Sequence, residues 1–309
     1  MKKSIWLLLL LFLILIISTA CDAQDTQNGT AGLEYYSLPD GTYGVMAGST
    51  QYLSHIEIPS THEGKAVTQV LSEAFSGAIN LTSITIPDSV TSIGDRAFRD
   101  CTSLASIAVP NSVTSIGQSA FSGCASLTSV ALSNNIATIG DTTFRNCTGL
   151  TEIIIPDSVT TIGNRVFDGC ASLNEIIIPD SVTTIGCNLF MNCPALTTVS
   201  APTIFWHVDN LPNSTIANQE YLSLTTAIIT AGDNIFDYAF YSYSAMTAIT
   251  ISDSVTSIGV CAFGDCTSLT TITYTGTIEQ WNLITKNDDW NFNVPAAEVV
   301  CSDGVVALS

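Results

Sequence analysis

A single interval governs what this chain can fold into. Leu81, Leu104, Leu127, Leu150, Leu173 and Leu196 stand 23 residues apart, and Phe75, Phe98, Phe121, Phe144, Phe167 and Phe190 keep the same step. Phe240 and Phe263 resume it after an interval of 50, two periods plus four residues, so one coil within 196–222 is expanded. A fixed period sustained over this many copies argues against two ordinary globular domains. It predicts a stack of similar coils, about ten of them, each too small to bury its apolar residues alone.

The stretch LTSITIPDSVTSIGDRAFRDC, residues 81–101, shows one coil. Leu81, Ile84 and Ile86 predict a short strand whose alternate residues face inward. Pro87 lacks an amide donor and Asp88-Ser89 bond their own backbone, so the strand ends there in a turn. Val90 and Ile93 return to the interior on the opposite wall. Gly94 is expected to supply a positive φ, and 96–101 to make one short helical or irregular turn that drops Phe98 inward. Stacked at the ~4.8 Å spacing of paired strands, these residues form Leu, Ile and Phe columns. Each fully buried large side chain contributes about 1.5–3 kcal/mol. The predicted fold is a β-rich repeat solenoid with one short parallel strand per coil and short helical or irregular turns on the convex side.

Hydrophobic residues make up 46% of the chain and charged ones 11%, with a formal net charge of −19. That composition is too apolar for disorder and too acidic for nucleic acid, whose phosphates would be repelled. Lys2 and Lys3 precede an apolar run over Ile5–Ile17. This run is shorter than the ~20 residues that span a bilayer core, so residues 1–20 read as a signal peptide. The ending Ser18-Thr19-Ala20-Cys21 resembles the bacterial lipobox. The resemblance implies that Cys21 is lipidated and anchors the mature chain to the bacterial cell envelope. Ordinary cleavage near Ala20 and a retained anchor are the competing readings. Residues 21–32 follow as a flexible polar tether.

The unit LTSITIPDSVTSIGDRAFRDCTS places Leu, Ile, Pro, Val, Ile-Gly, Ala-Phe and Cys in an order that resembles the BspA-like leucine-rich repeat family. The opening YYSLPDGTYGVMAG with IPSTHEGKAVTQV is similar to that family's first coil, and the ending from YTGTIEQW onward to its closing module. The resemblance implies a leucine-rich-repeat solenoid over 33–276 and a hairpin-like C-terminal cap over 277–309. It also implies an exported, surface-exposed bacterial protein of a kind that binds matrix proteins or other cells.

Six cysteines share one phase: Cys101, Cys124, Cys147, Cys170, Cys193 and Cys266. Zinc sites use paired spacings, whereas one cysteine per coil makes a line of thiols, so these read as a buried column with S–H groups bonded to carbonyls. Cys187 and Cys261 sit out of phase, shortly before Cys193 and Cys266. They either stay free or form local staples in an oxidising compartment. Cys301 has no evident partner.

Nothing in the sequence looks catalytic. His55, His62 and His207 are scattered, His207 with Asp209 is the only near pair, and no nucleophile or phosphate-loop motif occurs, so no enzyme and no cofactor is predicted. Asp157 and Asp180, one coil apart, could bridge Ca²⁺ through oxygen ligands, although Asp caps turns at the same place. The outward strand residues make the best candidate binding surface. Thr151, Glu152 and Ile154 on one rung and Asn174, Glu175 and Ile177 on the next set two isoleucines beside two carboxylates. The bland alternative is β-branched residues chosen for strand propensity. Phe205 and Trp206, with Tyr221, form a second candidate, because irregular insertions often carry a repeat protein's specificity. Repacking into the core is their bland alternative. Trp281 and Trp290 read as core of the cap.

The sequence therefore predicts a secreted, lipid-anchored solenoid with a Thr/Ser-rich face for protein–protein contact with host or neighbouring cells. A carbohydrate-binding module would need Trp206, Trp281 and Trp290 exposed as stacking platforms. A structural envelope protein without a specific ligand is the third reading.

Overall fold

The computed structural model describes residues 29–206 and 223–308; Cys21 and its leader, His207, Asp209 and Tyr221 lie outside the described residues. One wall is a ladder of short strands: His55–Glu57, Ser83–Thr85, Ser106–Ala108, Ser129–Ala131, Glu175–Ile177, Thr198–Ala201, Thr226–Ile229, Ala248–Ile251, Thr271–Tyr274 and Glu298–Cys301. Residues 152–154 hold the rung between Ser129–Ala131 and Glu175–Ile177 without forming a regular strand. Register follows the period, with Ile176 opposite Val199 and Ile249 opposite Ile272 in parallel pairs. The ten rungs predicted end at Thr271–Tyr274, and Glu298–Cys301 in the C-terminal cap adds one more.

The Val90/Ile93 wall holds a second parallel ladder of two-residue strands, including Ser92–Ile93, Ser115–Ile116, Thr138–Ile139, Thr161–Ile162 and Thr184–Ile185. Inward Ile139, Ile162 and Ile185 lie in register. The turn that follows is irregular rather than helical. Arg96 and Asp100 both adopt left-handed backbone, with φ of 53° and 57°. The amides of Arg96, Phe98 and Asp100 donate to the next coil's Gln118, Ala120 and Ser122 carbonyls at 2.9, 2.8 and 2.7 Å. Those of Ala97, Arg99 and Cys101 close local turns on Gly94, Arg96 and Phe98. Every amide of the turn thus finds a partner, alternately within its coil and along the solenoid axis.

Gly94 has a different role from the one its sequence position suggests. It lies outside the left-handed region, and a Cβ there would sit 2.5 Å from the Ser72 nitrogen and 2.8 Å from the Leu71 carbonyl carbon. Gly117, Gly163 and Gly186 meet the same obstruction at the equivalent place in their coils, whereas Gly140 has 3.6 Å of clearance. Glycine recurs here because neighbouring backbones touch, while the left-handed position two residues later is filled by Arg96, Ser119, Arg165 and even β-branched Thr142.

Neutral side chains tie coil to coil. Ser89, Ser112, Ser158 and Ser181 donate to the carbonyls of Val67, Val90, Ile136 and Val159 at 2.6–2.8 Å. Cys101, Cys124, Cys147, Cys170, Cys193 and Cys266 donate to the carbonyl of the previous coil's Phe at 3.0–3.2 Å. Each hydroxyl bond is worth about 0.5–1.5 kcal/mol net, the thiol, a weaker donor, contributes less, and repetition makes the set substantial.

The aromatic column runs through the centre of the stack. Phe75 to Phe190 stack nearly parallel with ring centroids 5.4–5.9 Å apart. At the expanded coil Phe205 and Trp206, on a single 3-10 turn over Thr203–Trp206, bridge Phe190 to Phe240. Trp290 closes the column edge-on against Phe263 at 5.9 Å.

Both ends are capped. The antiparallel pair Glu34–Ser37 and Tyr43–Met46 covers Lys65–Val70, and the hairpin Glu298–Cys301/Gly304–Ala307 covers Thr271–Tyr274. The helix Ile278–Leu283 begins with a capping box in which Thr277 and Gln280 satisfy each other's backbone. Lys286 Nζ donates to the Trp281 and Ile284 carbonyls at the other end, at 2.6 and 3.2 Å, and burial holds its pKa below the usual lysine value.

Candidate functional site

Ile153, Ile155, Ile176 and Ile178 are buried, and the alternation of a strand then turns Glu152, Ile154, Glu175 and Ile177 outward. Ile154 is 81% exposed and Ile177 57%. Most other exposed large apolar side chains, such as Tyr52, Leu53, Phe292 and Val305, cluster near the two ends, so these two neighbours stand apart in the middle of the wall.

The wall opens beneath them. Each neighbouring rung donates from its leading residue to the rung before, as Thr128 does to Ala105, Thr151 to Thr128 and Thr197 to Asn174, at 3.0–3.3 Å. Among the described residues no such bond joins Asn174 to Thr151, and Glu152–Ile155 make no backbone hydrogen bond. The other sides of the same coils stay closed, through Ile162 and Ile185 in register and through the Phe167 amide donating to Leu189 at 3.0 Å. The result is a shallow groove of about 620 Å³ between the two rungs, lined by Glu152, Ile154, Asp157, Glu175, Ile177 and Asp180 among others.

Other candidates meet different fates. Thr151 and Asn174 are exposed at the groove's start, but Thr151 Oγ1 donates to the Thr128 carbonyl at 3.3 Å, and the Asn174 carbonyl accepts from the Thr197 amide. Threonines at this phase repeat the bond, as Thr82, Thr128, Thr197, Thr225, Thr247 and Thr270 do, so much of the Thr/Ser-rich face is committed to holding coils together. Asp180 accepts a hydrogen bond from Thr230, fifty residues on, while Asp157 stays exposed. Among the described residues no three His, Cys, Asp or Glu side chains converge as a metal ion requires.

Phe205 and Trp206 are not a surface feature. Both are buried, 3% and 1% exposed, because the start of the insertion folds inward to continue the Phe column. Trp281 and Trp290 are buried too, so none of the three tryptophans offers a sugar-stacking platform. His55 Nδ1 lies 2.6 Å from Ser83 Oγ on an exposed surface, and His62 stacks on Tyr35 at 3.8 Å. The buried thiols are poor nucleophiles. Burial pushes Cys147 and Cys266 up to about 12; the hydrogen bond with Cys101, and then burial, raise Cys124 as well, and burial with neighbouring thiols raises Cys170. Cys187 alone among the described cysteines is exposed, and all nine are free.

The isoleucine row does not end at Ile177. Ser200 pairs with Ile177 on one side and Ile228 on the other, and half-buried Ile228 extends the isoleucine row across the expanded coil. Counting back from Met246 and Ile249 through Leu224 and Ala227 would have found it.

The sequence signature of the BspA type leucine rich repeat region matches six copies over residues 68–197 and 233–283. The chain belongs to the BspA-type leucine-rich repeat family. BspA-type solenoids are typically non-catalytic, and membership supports a repeat scaffold for protein interaction. Solved structures with a similar course include a leucine rich cell surface protein from Faecalibacterium prausnitzii, 24% identical, covering 86% of this chain and 99% of its own at a TM-score of 0.46. A T. pallidum leucine rich repeat protein is 23% identical, with 79% and 91% covered and a TM-score of 0.44. One from Bacteroides ovatus is 22% identical, with 91% and 90% covered and a TM-score of 0.40. No curated protein sequence matches. Membership rests on the repeat signature.

Proposed function

We propose that this BspA-type protein is exported, lipid-anchored to the cell envelope through Cys21, and binds a protein of a host or neighbouring cell through the groove at Glu152–Ile155 and Glu175–Ile177. The observation that carries the binding reading is the pair Ile154 and Ile177, exposed on adjacent rungs where the wall opens. Folding gains little from leaving two large aliphatic side chains in water, whereas a partner that covers them gains up to about 1.5–3 kcal/mol for each. The anchor reading rests on the leader and the residues before Cys21.

Two experiments test it. Protease shaving of intact cells should digest the chain while periplasmic markers survive; protection until the envelope is opened would replace the adhesion reading with an internal scaffold. Cells carrying Ile154→Asp with Ile177→Asp should lose most adherence to matrix-coated surfaces while the chain stays folded by circular dichroism. Unchanged adherence would remove the groove from the proposal. Cys21→Ala should move the chain from the detergent phase to the aqueous phase on fractionation.

A further inference from the structure

We infer that the groove's occupant is an extended, basic segment of a foreign protein, presenting a cation and, two residues further on, an apolar side chain. This rests on the groove being the binding surface, and adds the chemistry of what lies in it.

The carboxylates come in pairs. Glu152 and Glu175 hold equivalent places on adjacent rungs, as do Asp157 and Asp180. Among the described residues the two rungs are not hydrogen-bonded to each other, so the groove between them separates the members of each pair while all four carboxylates line it. No Lys or Arg lines the groove. A cation entering the groove therefore meets carboxylates from both rungs and no competing basic side chain. Asp157, exposed in the turn that follows, adds to the negative charge lining the same groove.

The spacing sets the ligand's pattern. Ile154 lies two residues beyond Glu152 on the same face, ~3.3 Å of rise per residue, while Asp157 belongs to the turn that follows Pro156. A peptide with the same rise meets the groove with a cation at one position and an aliphatic or aromatic residue two further on. The amides and carbonyls of Glu152–Ile155, without backbone partners among the described residues, can take main-chain bonds from such a segment.

A second copy of this chain is poorly equipped to supply such a segment. Outside the leader it has six cations: Lys65, Arg96, Arg99, Arg145, Arg165 and Lys286. Arg96, Arg99 and Arg145 already pair with Glu73, Asp100 and Asp168, and Lys286 is held by carbonyls. Arg96 and Arg99, three residues apart, are each held in an ion pair, and Lys65 and Arg165 are a hundred residues apart, so no segment carries two unpaired cations close together. The partner is heterologous.

The test uses the purified full chain and fluorescein-labelled peptides, read by anisotropy. The probe is TKTVTSKT, with its Lys→Glu counterpart and its Val→Ser counterpart as controls. TKTVTSKT should bind at least tenfold more tightly than either control, and raising NaCl from 50 to 500 mM should weaken it severalfold. Glu152→Gln with Glu175→Gln should cost at least tenfold, whereas Glu279→Gln with Glu298→Gln, removing the same charge from the cap, should cost less than twofold. Equal losses from the two pairs would show only general attraction to an acidic protein and overturn the inference. Binding lost in Ile154→Ser with Ile177→Ser but kept in the Glu152/Glu175 variant would keep the groove and refute the cationic ligand. Binding unaffected by either variant would remove the groove itself. Circular dichroism of each variant separates these outcomes from unfolding.

Discussion

Alkali should unfold this solenoid in a way that reports directly on its thiol column. Cys147 and Cys266 are buried, and burial lifts each from 9.0 to about 12 in the folded chain; Cys124 and Cys170 move the same way. The folded chain therefore keeps protons that the unfolded chain releases. The stabilisation is complete below pH 9 and is lost as pH rises through the window from 9 towards 12. One pKa unit corresponds to about 1.4 kcal/mol, so at pH 11 each of the two contributes a loss of roughly 2.7 kcal/mol, about 5 kcal/mol together. The assay is guanidinium unfolding followed by circular dichroism at pH 8, 9, 10 and 11. It is run beside a chain carrying Cys→Ala at 124, 147, 170 and 266. Tyrosines such as Tyr241, raised by Asp265, titrate in both chains, so the comparison isolates the thiols. The midpoint should fall steeply above pH 9 in the natural chain and much less in the variant. Parallel pH profiles for the two chains would refute the reasoning.

Three further outcomes follow from the packing. Phe144→Ala removes a ring stacked on both Phe121 and Phe167 and should cost about 3–5 kcal/mol, while Phe75→Ala, with its one stacked neighbour Phe98, should fray the first coil and cost less; equal shifts in melting would contradict the column. Gly163→Ala drives a Cβ to 2.7 Å from the Asp141 nitrogen and should lower stability by roughly 1–3 kcal/mol through forced coil separation, whereas wild-type stability would show that the contact is soft. In the native protein a maleimide should label Cys187 first and half-buried Cys261 more slowly, with the in-phase cysteines reacting only on denaturation; early modification of Cys147, located by mass spectrometry, would place that thiol outside the core.

Much of the fold was legible because a fixed period states which residues become neighbours. Residue i lies beside i+23, so the Leu, Ile, Phe and Cys columns, the inward and outward sides of each strand, and the joint placement of Glu152, Ile154, Glu175 and Ile177 all follow from the sequence. The burial of Trp281 and Trp290 was legible too, since the last coil of an array needs cover and these large side chains follow it.

What the period cannot specify is how closely two coils approach and which of several polar atoms takes a given bond. Those choices were decided in three dimensions. Gly94 is small because backbones collide there, not because of its own φ. Threonine hydroxyls that looked available for a ligand point along the axis to carbonyls. Phe205 and Trp206, in a stretch where the period lapses, turned inward because an aromatic column broken at that coil would leave a cavity. The same lapse brought Thr230 to Asp180 and Ile228 into line with Ile177. The open rung at Glu152–Ile155 has no signature of its own, since its residues are ordinary for a strand. It arises from the balance of many weak contacts on three sides of two coils, a balance that only the assembled stack determines.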